Sequence, residues 1–542
     1  MYKRQLLFCE ANELYLQNLK SVLWSFQTFS GLAVNYSKSG LIVIGKNEQW
    51  ASRVARQLEC KVVQLPCIYL GIPLGENMRR VSSWQPVIDR IQNRLSTWKG
   101  NCLSRAGRLV LIKAVLSSLP IYYLSLFKIP VKVAHEINKI QRRFLWSGQN
   151  QGKYNALVRW EVIQKPRTRG GLGVTQCTLK NAALLFKWWW RYASEEGALW
   201  RRMVDSIHED DSTLLPNCNT RSITGLWNDI KRLPTSHNQV SQTFFQNIQM
   251  KVGDGLKVRF WKDKWIEDII LHDAFSGLYA VSSQQQEVIN NMGWFEGEVW
   301  RWILVWKRVL TTEECREEAK LYSILQQHFP NRTERDKIIW NQSSNFSVKT
   351  LYVKAVNQME HEGEVDRLVC TVWQRIAPPK VELMVWIALL GKLNTKDRLW
   401  RKGIIPEQLN QCTFCQNQAE DIDHVLMSCT VVWPVWVHIA EEQGEQITAE
   451  SNIRGLYTKW ISKSMPNKIK RKLWISSFFA ILWSLWMHRN GIVFKQRELD
   501  VQGLCHVIKW RVALWSKAWK DKVPYPAEVL ARNFQNIPML FN

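Results

Sequence analysis

The stretch Cys412-Thr413-Phe414-Cys415-Gln416-Asn417-Gln418-Ala419-Glu420-Asp421-Ile422-Asp423-His424-Val425-Leu426-Met427-Ser428-Cys429 carries the most specific pattern in the chain. Two cysteines separated by two residues can grip one ion from a tight turn. A histidine and a cysteine with four residues between them can close a tetrahedron from an adjoining helix or loop. Thiolate and imidazole donors suit zinc better than magnesium or calcium. Four protein donors leave no open coordination position, so zinc held by Cys412, Cys415, His424 and Cys429 is structural. The alternative is three unpaired thiols and a surface histidine that happen to cluster. His438 is a competing ligand, and Asp421 or Asp423 can supply an outer hydrogen bond. By composition the loop also suits single-stranded RNA as short zinc knuckles do, although the eight residues before His424 make it longer than those.

Working outward, Phe346 to about Val437 reads as a compact unit, with a helix near Ser347 to Asn357, an apolar helix around Val381 to Leu390 and another ending at Trp400. Beyond it, Lys468 to Phe494 is a tryptophan-rich helix and Arg497 to Trp519 a further one, whereas the final 20 or so residues show no strong pattern. The apolar run Trp474 to Met487 has 14 residues, short of the roughly 20 a membrane-spanning helix needs. It therefore reads as a buried helix. The basic run Lys468 to Lys472 fits a solvated helix start, with nuclear import as its sharper reading.

Upstream, Leu6 to Cys9 reads as a strand and Glu13 to Phe29 as a helix stopped by Gly31. Leu41 to Gly45 reads as a second strand, Gln49 to Leu58 as a helix, and Lys61 to Leu65 as a strand before a turn at Tyr69 to Gly75. Residues from Trp84 to Trp146 are helical, broken at Pro120 and Pro130. Residues 151 to 345 are mixed, with a Gly170-Gly171-Leu172-Gly173 turn, a helix bearing Trp188, Trp189 and Trp190, and short strands around Val258 to Trp261. The expected fold is α+β, multidomain and mainly helical. Its units are residues 1–75, 76–150, 151–345, 346–437 and 468–520.

The 542 residues carry a formal net charge of +26 with 46% apolar residues, a mix too apolar for a disordered tail and basic enough to attract a polyanion. Between Glu76 and Arg143 lie 13 basic and 3 acidic residues, so +10 falls on one helical stretch. Its Arg79, Arg80, Arg90, Arg94, Lys99, Arg105 and Arg108 are candidate phosphate contacts. Thirty tryptophans are too many for one binding groove, so most belong to cores. The cysteines are sparse and mostly single, no secretory leader is evident, and the expected location is intracellular, nucleus or cytoplasm, without membrane partners. The glycine turn lacks phosphate-loop spacing, and the carboxylate pairs Glu195-Glu196 and Asp210-Asp211 sit in polar stretches that read as solvated loop charge.

Taken in order, several landmarks resemble the reverse transcriptase-like proteins of plant non-LTR retrotransposons, in the part that follows the polymerase active site. Leu6 to Ala11 resembles the strand leaving the catalytic hairpin, Gly31 to Ser39 the next palm motif, and Tyr69-Leu70-Gly71 the primer-grip turn. Leu95 to Lys99 and Leu103 to Arg108 are similar to thumb-like helices. Gly170 to Gly173 and Phe260 to Trp265 are similar to the connecting region, Phe346 through Cys429 to the reverse transcriptase zinc-binding domain, and Trp483-x2-Trp486-x2-Arg489-Asn490 to the element after it.

The resemblance implies a palm remnant, a thumb-like region and a zinc unit. It places Lys38 near a nucleotide and Tyr69 near a primer end, and makes RNA or an RNA–DNA hybrid the expected partner. It also implies two magnesium-binding aspartates before Leu6, and these positions are Lys3 and Arg4, whose cationic groups repel the ion. Productive magnesium binding is therefore not expected. The expectation is a noncatalytic, truncated, zinc-holding nucleic-acid binder. The alternatives are a protein-interaction unit, a pseudogene product, or a polymerase completed by residues upstream.

Overall fold

The computed structural model describes residues 6–96, 102–148, 154–208, 213–216, 225–236, 239–267, 269–341, 343, 345–359 and 366–541. Lys3, Arg4, Lys99 and Asp210-Asp211 lie outside the described residues. Among the described residues helix accounts for 55% and strand for 7%, so the chain is mainly helical; it is also multidomain. Contacts divide it into two units, Met1–Pro86 with Phe127–Val133, and Val87–Leu126 with Ala134–Asn542.

In the first unit, α1 (Glu13–Ser30) starts where the Asn12 side chain accepts the Leu14 N–H, and it stops at Gly31, whose φ of 66° closes the helix in the left-handed region. β1 (Gly40–Leu41) and β2 (Lys61–Val62) pair in parallel, joined by α2 (Glu48–Gln57). β3 (Cys67–Tyr69) and β4 (Ile72–Leu74) form a hairpin whose two turn residues, Leu70 and Gly71, both have positive φ, the geometry that matches strand twist. The expected strand Leu6 to Cys9 does not form: its residues are exposed and unpaired in any ladder, and an apolar run becomes a strand only when a partner takes its backbone groups.

The second unit is built on helices. Its principal ones are α3 (Gln85–Ser96), α4 (Arg105–Leu111), α5 (Val131–Ser147), α6 (Cys177–Ser194), α7 (Gln239–Asn247), α8 (Val348–Gln358), α9 (Pro379–Leu389), α10 (Lys396–Trp400), α11 (Trp433–Glu441), α12 (Ile453–Ser462), α13 (Lys468–Lys495) and α14 (Val501–Ser516). A large aromatic core gathers Phe186, Trp189, Trp227, Phe244, Trp261 and Trp340. Among the described residues only Trp24, Trp294 and Trp400 are exposed tryptophans, so the indoles serve mainly as core.

Antiparallel pairs β5 (Ile248–Lys251) with β8 (Lys337–Trp340), and β6 (Gly293–Glu296) with β7 (Val299–Trp302), edge that core. The strands expected around Val258 to Trp261 reduce to one bridge, Arg259 to Val288. Val258, Phe260 and Trp261 are fully buried there, so the apolar run marked burial rather than pairing. The last 20 residues, patternless in sequence, hold helical turns at Ala527–Arg532 and Ile537–Leu540.

Helix α8 packs against α6 and α7 and lends Leu351, Ala355 and Val356 to the aromatic core. Helix α9 packs against α4 and α13. The Trp386 indole of α9 donates to Gly170 O at 2.8 Å. In that glycine turn a Cβ on Gly171 would lie 2.1 Å from Lys165 O, a backbone atom that cannot swing aside. The glycines thus serve close chain packing. Gly171→Ala is expected to cost about 1–3 kcal/mol, read as a lowered denaturant midpoint; an unchanged midpoint would contradict the packing role.

Helix α13 buries Trp474 to Leu482 nearly throughout, and among the described residues no helix is long and apolar enough to cross a membrane. Its basic start is a helix cap: Asn467 accepts the Ile469 and Lys470 N–H groups, and Lys472 pairs with Asp521 at 2.5 Å.

Candidate metal centre

Cys412 and Cys415 sit in a hairpin closed by the Gln411 to Ala419 bridge. The Cys412 N–H donates to Gln418 O at 2.7 Å, and the Gln416 N–H returns to Cys412 O at 3.0 Å, with Gln416 at φ 55°. The Phe414 N–H points at the Cys412 sulfur, 3.4 Å away, a donor placed to stabilise a thiolate.

His424 and Cys429 come from a π-type turn, His424–Ser428, closed by the Cys429 N–H donating to His424 O at 3.0 Å. In an α-helix, residues five apart lie about 140° around the axis from each other. The wider π turn swings the second residue back toward the first, so the turn type lets this spacing aim both side chains at one point. The Asp421 carboxylate starts the turn by accepting the His424 backbone N–H at 2.8 Å.

The four donor atoms all lie within 4.8 Å of one another, with Cys412, His424 and Cys429 buried. Cys412 Sγ is 4.0 Å from Cys429 Sγ, and Cys415 Sγ is 3.2 Å from His424 Nε2. Zinc–sulfur bonds of about 2.3 Å in a tetrahedron imply edges of about 3.8 Å, so the set fits such an ion. The electrostatics agree: a hydrogen bond to Cys429 and burial push the Cys412 thiol well above its usual range, while the Cys412 S–H draws Cys429 down. One S–H shared between two buried sulfurs is an arrangement that a divalent cation would replace by binding both as thiolates.

His438 does not join the group. It is half-exposed, its Nε2 3.5 Å from Glu442 Oε1. Asp421 and Asp423 act on backbone, the latter accepting the Ile453 N–H at 2.8 Å. Burial raises the Asp423 carboxyl above its usual range.

Sequence reasoning missed Glu420. Fully buried, its carboxylate accepts the Lys396 N–H at 3.1 Å, the Thr413 N–H at 3.2 Å and the Thr413 hydroxyl. It also meets the buried Arg489 guanidinium at 2.5 and 3.0 Å. Helix α13 thus holds the hairpin from behind, and His488 stacks on Phe414 with ring centroids 6.3 Å apart. The available signal was an arginine within a tryptophan-rich buried helix, which demands a buried counter-ion.

The candidate phosphate contacts are scattered over both units. Lys38, Arg79 and Arg80 are exposed and Tyr69 half-buried in the first; Arg90 and Arg94 are exposed on α3 in the second. On α4, Arg105 lies 5.9 Å over the Trp146 ring and Arg108 donates to Leu145 O at 3.4 Å, so both also serve packing. Glu195 and Glu196 are bound in ion pairs, with Arg191 at 2.7 Å and with Lys257.

Residues 346–436 match the family model described as zinc-binding in reverse transcriptase, and all four donors lie inside the match. Over 456 residues the chain is 26% identical to the Arabidopsis thaliana protein named "Putative ribonuclease H protein", covering 82% of this chain and 69% of that one. An uncharacterized mitochondrial protein of the same plant is 24% identical over 152 residues, 28% of this chain and 94% of its own length.

Proposed function

We propose, from the premise that residues 346–436 are a reverse transcriptase zinc-binding domain in a retroelement-derived chain, that this protein binds the backbone of RNA or an RNA–DNA hybrid around a structural zinc ion. The observation that carries the zinc is the convergence of three thiols and one imidazole within 4.8 Å. Cys412, Cys415, His424 and Cys429 would hold the ion, and bound zinc would supply cross-linking of the hairpin to the π turn, with no open position for chemistry. The palm-like reading of residues 1–75 and the thumb-like reading of 76–150 belong to the same proposal.

What supports nucleic acid is the charge: +26 overall, with exposed arginines on α3 and in the turn before it. We read the chain as binding rather than catalytic. The positions matched to the polymerase aspartates are Lys3 and Arg4. Among the described residues, the Cys3His set is the one group of three or more metal-ligating side chains. Its relative's name suggests RNA cleavage as the competing reading, and a purified chain is expected to show neither magnesium-dependent primer extension nor hybrid cleavage. Turnover of either substrate would replace this reading.

Phosphate contacts release counter-ions, so affinity for a 20-nucleotide RNA is expected to fall as salt rises, by about 0.7 log units per log unit of salt for each contact. Fluorescence anisotropy between about 50 and 200 mM salt reads that slope. A flat one would rule out backbone contact.

A further inference from the structure

Residues 391–403, which run through α10, hold five basic side chains and one acidic one. Arg401 is paired with that acid, Asp397, at 3.1 Å, and Lys396 lies 4.0 Å from Glu420. The remaining three, Lys392, Arg398 and Lys402, have no carboxylate partner among the described residues. Arg398 donates instead to Leu157 O at 3.2 Å and Gly391 O at 3.4 Å, and Lys402 to the Asn155 side chain at 2.7 Å. These neutral acceptors fix the heads of two cations and leave their charge uncompensated. Burial and the facing charges of Arg398 and Lys402's other neighbour, Lys392, hold the Lys402 ammonium below the usual lysine range.

Like charges held together on a surface are costly unless an anion answers them. Beside them stands Trp400, one of three exposed tryptophans among the described residues of a chain that otherwise buries or half-buries its indoles. A cationic track with an exposed indole is the combination that follows a phosphate backbone and stacks an unpaired base.

We propose that α10 and its flanking turns form a contact surface for single-stranded nucleic acid, with Lys392, Arg398 and Lys402 on phosphates and Trp400 stacked on a base. This deepens the nucleic-acid reading, on which it rests, and moves the contact onto the zinc domain itself. Through Glu420, which accepts the Lys396 N–H, the surface is tied to the metal hairpin.

The test uses the full zinc-loaded chain with fluorescein-labelled oligouridylate and oligothymidylate 20-mers. Lys392→Gln/Lys402→Gln, which leaves Arg398 and its two carbonyl bonds intact, is expected to weaken binding about tenfold and to flatten the salt slope by about 1.4, two contacts at 0.7 each. Trp400→Ala is expected to cost about tenfold with the slope unchanged. In the wild type, 4-thiouridine cross-links should map to peptides spanning 392–402, a readout independent of any variant's folding. Losses confined to the RNA probe mean that the sugar hydroxyl is read; equal losses mean that only backbone and base are. If the wild type binds while both variants match it and cross-links map elsewhere, this surface is wrong and the nucleic-acid reading stands. A wild type that binds neither probe overturns both.

Discussion

Stripping the metal from the purified chain is expected to melt the segment from Cys412 to Cys429, and Cys412→Ser to have the same effect. In small zinc peptides the ion contributes about 10–16 kcal/mol of apparent folding free energy. Here the neighbouring helices have their own core, so the expected loss is local: hydrogen-exchange protection disappears from the hairpin and π turn while α13 keeps its own. Elemental analysis should give one zinc per chain before stripping. The pH dependence follows from the donors. Zinc takes thiolates and neutral imidazole, so binding releases protons and weakens as pH falls. The hydrogen bond to Cys429 and burial raise the Cys412 thiol above its usual range while Cys429 is drawn down, so metal-free protein keeps a proton between the two sulfurs that zinc must displace. Equal protection with and without metal would remove zinc from the account.

Replacing Arg489 by methionine takes from the buried Glu420 carboxylate its hydrogen-bonded counter-ion and leaves the Lys396 ammonium, 4.0 Å away, as the nearest cation. Breaking a buried pair from one side costs about 3–5 kcal/mol, whereas replacing both partners by apolar groups is often close to neutral. Arg489→Met is therefore expected to lower stability by that amount and to loosen zinc, since Thr413 in the hairpin is held by the same carboxylate. Glu420→Met/Arg489→Met should recover part of the stability, though not the hydrogen bonds to Lys396 and Thr413. Denaturant unfolding and zinc competition measure the two effects. A loss under about 1 kcal/mol in the single variant would show that the pair carries little.

What could be seen in the sequence was what is local. The C-x2-C spacing names two ligands, apolar periodicity outlines the helices, and Gly31 marks a helix end within a residue. Glu420 and Arg489 stand 69 positions apart, and nothing local couples them. The π turn at His424–Ser428 hides for a different reason, since its register is set by one backbone hydrogen bond that no side-chain pattern announces. The cluster on α10 was legible as charge but not as uncompensated charge. Which lysine meets a carboxylate depends on chain brought from elsewhere, as Asn155 and Leu157 are. Counting basic residues drew attention to the helices before Arg143, where Arg105 and Arg108 proved to be partly occupied by Trp146 and Leu145.

The placement of α8 bears on heredity as well as on stability. The recognisable zinc-binding domain begins at residue 346, yet its first helix completes a core whose other walls, α6 and α7, precede that point. A recombination joint there would carry off Leu351, Ala355 and Val356 and leave two open apolar faces, one on each product. Exchange between related elements should therefore tolerate joints upstream of α6 better than joints at the domain's apparent edge.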